Sequence, residues 1–347
     1  MHKQLKAMAL TALMGVAMFG LASCEKKPAT TAPTEISFSI LSFEKSQNID
    51  KLWQPLMADM QKQTGLKIKP FYSSSYTALI EAMRFKQVQA GFFSTSSGAE
   101  AVNRGEGEVF AHTTNPDGTD TYTSVIIVRK DSKVTLDDLL KCNHKLNFGM
   151  GDVKSTSGTI APKSFLFIPN HVDTDNCFKS VKPSNHGNNI ESVLAGVIDA
   201  ATNNSDALKE LGDTPEGKAK LANLKVIWES PPMRKGVLVY RSDLDPATQE
   251  KIRSFFLSYG AGTGPEADRQ RANLAAFQWG QLQPADSTYL VPERLMESRV
   301  ELYEAQKAGD KEATAKAQAE LDSALADQAR LLANTAPQAP ADAPASQ

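Results

Sequence analysis

The stretch Lys145-Leu146-Asn147-Phe148-Gly149-Met150-Gly151-Asp152-Val153-Lys154-Ser155-Thr156-Ser157-Gly158 decides the fold. Its opening, Lys145 to Met150, reads as an extended, β-like segment, and an apolar stretch runs on from Thr159 to Phe167. Between them stand the hydroxyl residues Ser155, Thr156 and Ser157, at the mouth of a helix. The N–H groups of a first helical turn have no partner inside the helix, and they lie at the positive end of its dipole. Side-chain O–H donors beside such groups make a ready site for a tetrahedral oxyanion. The same residue types also serve as ordinary N-caps, so the rest of the chain has to separate the two readings.

Downstream, His186-Gly187-Asn188-Asn189 marks a loop–helix junction, followed by an amphipathic run to Gly196 and the strand-like Val197 to Ala201. An imidazole there can donate to an anion oxygen, and a bound dianion would raise its pKa toward the charged form. Asn203, Asn204 and Asp206 follow that strand, so they emerge at its carboxyl end, where open α/β sheets bind ligands.

Upstream, strand-like and helical runs alternate as in an α/β fold. Ile36 to Leu41 reads as a strand, Leu52 to Gln63 as a helix and Leu66 to Tyr72 as a second strand. Tyr76 to Phe85 is helical, and Ala90 to Phe93 is short and buried-looking. Ser124 to Val128 and Leu224 to Trp228 read as crossing points around a complete βα module, the layout of a hinged binding protein. The expected organisation is a lobe from 36–123 and 229–291, and a second lobe with hinge strands at 124–228. A helical hairpin at 292–333, broken near Gly309, and a disordered Ala/Pro-rich tail at 334–347 complete the body. The hairpin reads equally as a solvated pair of helices or as a partner-binding, dimerising element.

The amino terminus reads as an export signal at 1–23. His2, Lys3 and Lys6 precede an apolar run from Ala7 to Leu21, short for a membrane span. Leu21-Ala22-Ser23-Cys24 resembles a bacterial lipobox, which makes Cys24 the lipid acceptor; a plain secretory signal is the simpler alternative. Residues 24–35 read as a tether. The body is then extracytoplasmic, where the pair Cys142 and Cys177 is readily oxidised. Each lies beside a strand-like segment, and if those strands are parallel neighbours a disulfide is within reach. There is no Cys-x-x-Cys motif, and the five histidines lack ligand spacing, so neither metal nor cofactor is expected. The net charge of −2 speaks against nucleic acid as the main partner.

Taken together, Gln54-Pro55-Leu56, Met83-Arg84-Phe85, Gly149 to Gly158, Asp199 to Asn204, Val226-Ile227-Trp228, Phe255 to Gly260 and Leu290-Val291-Pro292 resemble the periplasmic substrate-binding proteins of phosphonate ABC transporters, the PhnD family. The resemblance runs from about Ile36 to Leu332. It implies a type-II periplasmic binding fold of two hinged α/β lobes with a C-terminal helical hairpin used in dimerisation. It also implies capture of a phosphorus oxyanion (phosphonate, phosphite or phosphate) for an inner-membrane ABC permease. The family's phosphonate-binding turn falls on Ser155, Thr156 and Ser157, its first pocket tyrosine on Tyr76 and its anion-binding histidine on His186. A second pocket tyrosine falls on Phe93, the glutamate facing a substrate amine on Asp206, and a second acid for that amine on Gly236, beside Arg234 and Lys235. Without that acid an ammonium in a closed cleft lacks its counter-charge, so an amine-free ligand is expected. A hydrolase using Ser155 and His186 is the rival enzyme reading, but no Gly-x-Ser-x-Gly elbow surrounds Ser155, and the expectation is a binding protein. A sensory lipoprotein reporting the same ligand to a partner protein is the other alternative.

Overall fold

Ile36, Phe38 and Ile40 alternate with Ser37 and Ser39, and all three apolar side chains are fully buried. They lie on the first strand of a computed structural model that describes residues 33–41 and 46–335. Among the described residues the strands of the first half are β1 (Glu35–Leu41), β2 (Lys67–Ser73), β3 (Ala90–Phe93), β4 (Gly107–His112), β5 (Thr121–Tyr122) and β6 (Ser124–Arg129). Those of the second half are β7 (Asn147–Met150), β8 (Ser180–Pro183), β9 (Ala200–Asn204), β10 (Leu224–Glu229), β11 (Met233–Arg234), β12 (Val237–Arg241) and β13 (Gln283–Pro284).

These strands build two lobes. One is a six-stranded mixed sheet in the order β13-β4-β12-β3-β1-β2, with β1 parallel to β2 and β3 and β12 antiparallel to β3 and β4. The other is a five-stranded mixed sheet in the order β10-β6-β9-β7-β8, with β7 parallel to β8 and β9. The first lobe has one large apolar core, in which Phe38 packs on Trp53 and Phe256. In the second, separate clusters cover the two faces of the sheet, one around Phe148 and Phe167 and one around Ile127 and Val193. Burial of this kind, at roughly 25 cal/mol per Å² of apolar surface, is the main stabilising term for each lobe.

The crossings between the lobes are not where the sequence suggests. Ser124 to Val128 and Leu224 to Trp228 lie side by side as β6 and β10 of the second sheet. Ser124 to Val128 are all buried, as an interior strand requires. The chain passes between lobes through 113–123 and 230–236, and there β5 and β11 form a two-residue antiparallel ladder, Met233 opposite Tyr122 and Arg234 opposite Thr121.

Two C-terminal helices, Val291–Ala308 and Lys311–Thr335, pack against each other on either side of Gly309. The first of them rests on the second lobe through Met296 and Val300, which join Ile160, Ala161 and the hinge residue Met233 in one cluster. Around that cluster Lys154 pairs with Glu297 at 3.0 Å, Lys163 with Glu304 at 2.7 Å and Lys307 with Asp173 at 2.7 Å. A disulfide joins Cys142 to Cys177, one before β7 and one before its parallel neighbour β8. No helix among the described residues is long and apolar enough to cross a membrane. The export segment with Cys24, the tether up to residue 32 and the tail from residue 336 lie outside the described residues.

Candidate oxyanion-binding cleft

β7 ends at Met150, and the chain folds into a helical segment over 156–170 that opens with a π-helical turn, Thr156–Ile160. The Ser155 carbonyl there accepts from both Thr159 N and Ile160 N, each at 3.1 Å. Turns of this wide-bore kind recur at functional sites. The Ser155 hydroxyl accepts from Gly158 N at 3.0 Å and caps the helix. Gly151 N donates to Gly158 O at 2.9 Å, and a Cβ on Gly151 would stand 2.5 Å from the Gly158 Cα. The turn can fold against its own strand only because both residues are glycine. It is then fastened from below: Ser124 donates to Ser157 O at 2.6 Å, and Thr202 to Gly158 O at 2.8 Å.

Its three hydroxyls have three different tasks. Ser155 caps. Thr156 Oγ1 reaches the other lobe, where it lies 3.1 Å from Thr95 Oγ1 and accepts from Ser96 N at 2.9 Å. Ser157 lines a cavity of about 540 Å³ between the lobes, together with Tyr76, Tyr122, Ser94, Asn204 and Asp206. Ser157 Oγ lies 3.3 Å from His186 Nε2 and accepts from Asn204 Nδ2 at 3.3 Å, and the Tyr122 hydroxyl is hydrogen-bonded to it as well. His186 opens the helix His186–Leu194 and stands behind Ser157, not on the cavity wall. Burial pushes its imidazole down to about 4, so it is neutral near pH 7. Asn203 Nδ2 holds the His186 carbonyl at 3.0 Å.

From the first lobe, Tyr76 begins the helix Tyr76–Arg84, capped by Ser75. Its backbone N–H donates to Asp152 across the cleft at 3.3 Å, and its hydroxyl is bonded to the Ser155 side chain. Burial raises the pKa of both Tyr76 and Tyr122, keeping them as neutral donors. Hydroxyls, an amide and the mouth of a helix on a strand end thus converge on one end of the cavity, an arrangement suited to holding an oxyanion.

The other expected residues are redistributed. Phe93 does not line the cavity; it is fully buried in the core of the first lobe, and strand alternation turns Phe92 to the cavity instead. The tyrosine that does meet Ser157 is Tyr122, on the hinge ladder. Asp206 lines the cavity, but its Oδ2 is paired with Lys235 Nζ at 2.9 Å. Lys235 is almost wholly buried, and it also donates to Asn115 Oδ1 at 2.7 Å. Gly236 has no room for any side chain, since a Cβ would stand 2.5 Å from the Phe92 ring and 2.7 Å from Phe93 O. The group that projects at this corner is therefore the ammonium of Lys235. Arg234 turns away, its guanidinium over the Tyr289 ring and bonded to the Tyr289 carbonyl.

The sequence reading passed over the run Ser94-Thr95-Ser96-Ser97, which opens the helix Thr95–Gly105 opposite Ser155 to Ser157. Its signal was available, since it repeats the order of short strand, Ser-Thr-Ser and glycine. Tyr122 and Lys235 had no such signal, because each lies in a crossing segment without periodicity. Among the described residues no cluster of His, Cys, Asp and Glu is arranged to hold a metal ion.

Comparison with known proteins agrees with this geometry. Residues 38–290 match the family model described as ABC transporter, phosphonate, periplasmic substrate-binding protein. The chain is 35% identical over 294 residues to the phosphonates-binding periplasmic protein of Escherichia coli K12, covering 84% of each. A crystal structure of a binding-protein component of an ABC phosphonate transporter from Pseudomonas aeruginosa superposes with a TM-score of 0.79 at 34% identity, over 88% of this chain and 99% of that one. PhnD1 of Prochlorococcus marinus, solved with methylphosphonate, shares the fold with a TM-score of 0.65 at 19% identity, over 77% of this chain and 98% of that one. The two lobes, the ladder between them and the C-terminal helix pair are those of a type-II periplasmic binding protein. The chain belongs to the family of periplasmic phosphonate-binding components of ABC transporters, which bind their ligand and carry out no reaction on it.

Proposed function

We propose that this protein captures a phosphonate whose substituent carries no amine, and delivers it as a lipid-anchored component to an ABC permease of the inner membrane. The observation that carries the ligand preference is the Lys235–Asp206 pair, 2.9 Å apart on the cavity wall. An acid that would face a substrate ammonium already has an ammonium of the protein's own. A second cation brought to that corner would lie beside Lys235 and compete with it for Asp206, at a cost of several kcal/mol unless Lys235 were displaced; Glu210 and Asp213 are the other carboxylates on the cavity wall. The phosphonyl oxygens are taken by Ser157, Tyr76 and Tyr122, with Ser155, Thr156 and His186 holding that end in shape. Because these groups come from both lobes and from the ladder between them, the ligand favours the closed form, and the closed form docks on the permease. Cys24 is the anchor in this reading, and two copies associate through the second C-terminal helix, where Leu325 and Leu332 are exposed.

Calorimetric titration of the ligand-stripped body with methylphosphonate, 2-aminoethylphosphonate, phosphite, phosphate and sulfate tests the proposal. The expected result is stoichiometric binding of methylphosphonate at least tenfold tighter than 2-aminoethylphosphonate. Tighter binding of the aminated ligand overturns the amine-free reading.

A further inference from the structure

The oxyanion end accounts for only part of the cavity. The same space continues along Trp53, Phe92, Phe277 and Trp279, and the greater part of its wall is apolar. These rings form one contiguous surface: Trp53 meets Phe277 edge-on at 4.8 Å, Phe277 stacks on Trp279 at 4.8 Å, and Phe92 lies 4.9 Å from Trp279. Phe277 is half-buried, whereas Trp53 and Trp279 are held in the core of the first lobe, so the wall is rigid where it faces the cavity. At about 540 Å³ the cavity falls in the range of sites that enclose ligands of many heavy atoms, roughly 300–1,000 Å³. A one-carbon phosphonate would fill the polar end and leave the aromatic wall wet.

Resting on the reading that a phosphonate sits at Ser157, we propose that the substituent end of the cavity is built for a flat apolar group, so that arylphosphonates are the preferred ligand class. Offset or edge-on contact with Phe277 and Trp279 supplies directional attraction beyond simple burial. The Lys235–Asp206 pair balances its own charge at the polar corner beside it, and an uncharged ring needs no counter-charge from the wall.

Titration of the ligand-stripped protein with phenylphosphonate and methylphosphonate, followed by calorimetry and by tryptophan fluorescence, tests this. Phenylphosphonate is expected to bind at least tenfold tighter, and Phe277→Ala is expected to bring the ratio of the two affinities toward one. Equal or weaker binding of phenylphosphonate, with methylphosphonate still bound, overturns the aryl proposal and leaves the phosphonate reading standing. A tenfold preference that survives in Phe277→Ala also overturns the role given to the aromatic wall. Failure of both phosphonates to bind overturns the underlying reading and the proposal together.

Discussion

The two Ser-Thr-Ser turns, one in each lobe, have nearly the same sequence and do opposite work. Each follows a short buried strand, and each is capped by its first serine: Ser155 accepts from Gly158 N at 3.0 Å, and Ser94 from Ser97 N at 3.3 Å. They meet at the two threonines. In the second lobe the last hydroxyl, Ser157, is surrounded by His186, Asn204 and Tyr122 on the cavity wall. In the first lobe Ser97 turns back on its own cap, 2.9 Å from Ser94 Oγ, and Ser96 Oγ is buried with no hydrogen-bond partner. A hydroxyl run at a helix mouth is therefore a neutral component. What sets the Ser157 turn apart is the framework of amide and imidazole groups supplied by β9 and by the helix that His186 opens.

The most direct way to break this contrast is Ser157→Ala. Loss of a hydrogen bond to a charged ligand costs about 1.5–3 kcal/mol, so calorimetry should show phosphonate affinity falling roughly 10–100-fold. Ser97→Ala in the opposite turn should leave it nearly unchanged, and equal losses would end the distinction. The histidine behind Ser157 gives a second test. Burial holds its folded pKa at about 4, below the ordinary imidazole value of 6.5, so the unfolded chain takes up the proton first. Stability is then expected to decline as pH falls from about 6.5 to about 4, with this group contributing nothing above that window. The slope approaches ~1.4 kcal/mol per pH unit, and denaturant melts of His186→Gln should lack it. Thr156→Val removes the hydroxyl shared by the two turns, and about 1 kcal/mol should be lost from the closed form. Small-angle scattering of the liganded protein would register that loss as a more open average. The smallest effect is Ser96→Ala, which removes a buried hydroxyl without a partner and should leave the melting temperature unchanged or slightly raised.

Much of this was legible in the chain. Alternation in Ile36 to Leu41 and the hydroxyl run before Gly158 are enough to place a strand and a helix mouth, because each is a local pattern with a local cause. The crossings elude the sequence for a physical reason: β5 and β11 are two residues each, too short to carry a period, while the stronger apolar runs at β6 and β10 pair with each other inside the second lobe's sheet. Phe92 and Phe93 could not be told apart either. All four residues of β3 are buried, so nothing in the sequence says which face meets the cavity and which the core. Lys235 was visible only as a charge beside a glycine, and its partner, Asp206, is supplied by the other lobe.

The corner formed by Lys235, Asp206 and Gly236 also bears on how such a cleft can change its ligand over generations. Gly236 is closed to every side chain, so a new specificity at that corner has to arise at position 235 or 206. Altering either residue alone strands a charge in the closed cleft, at on the order of a few kcal/mol. The two positions are therefore coupled, and a neutral residue at 235 would by itself turn the Asp206 carboxylate over to a cation carried by the ligand.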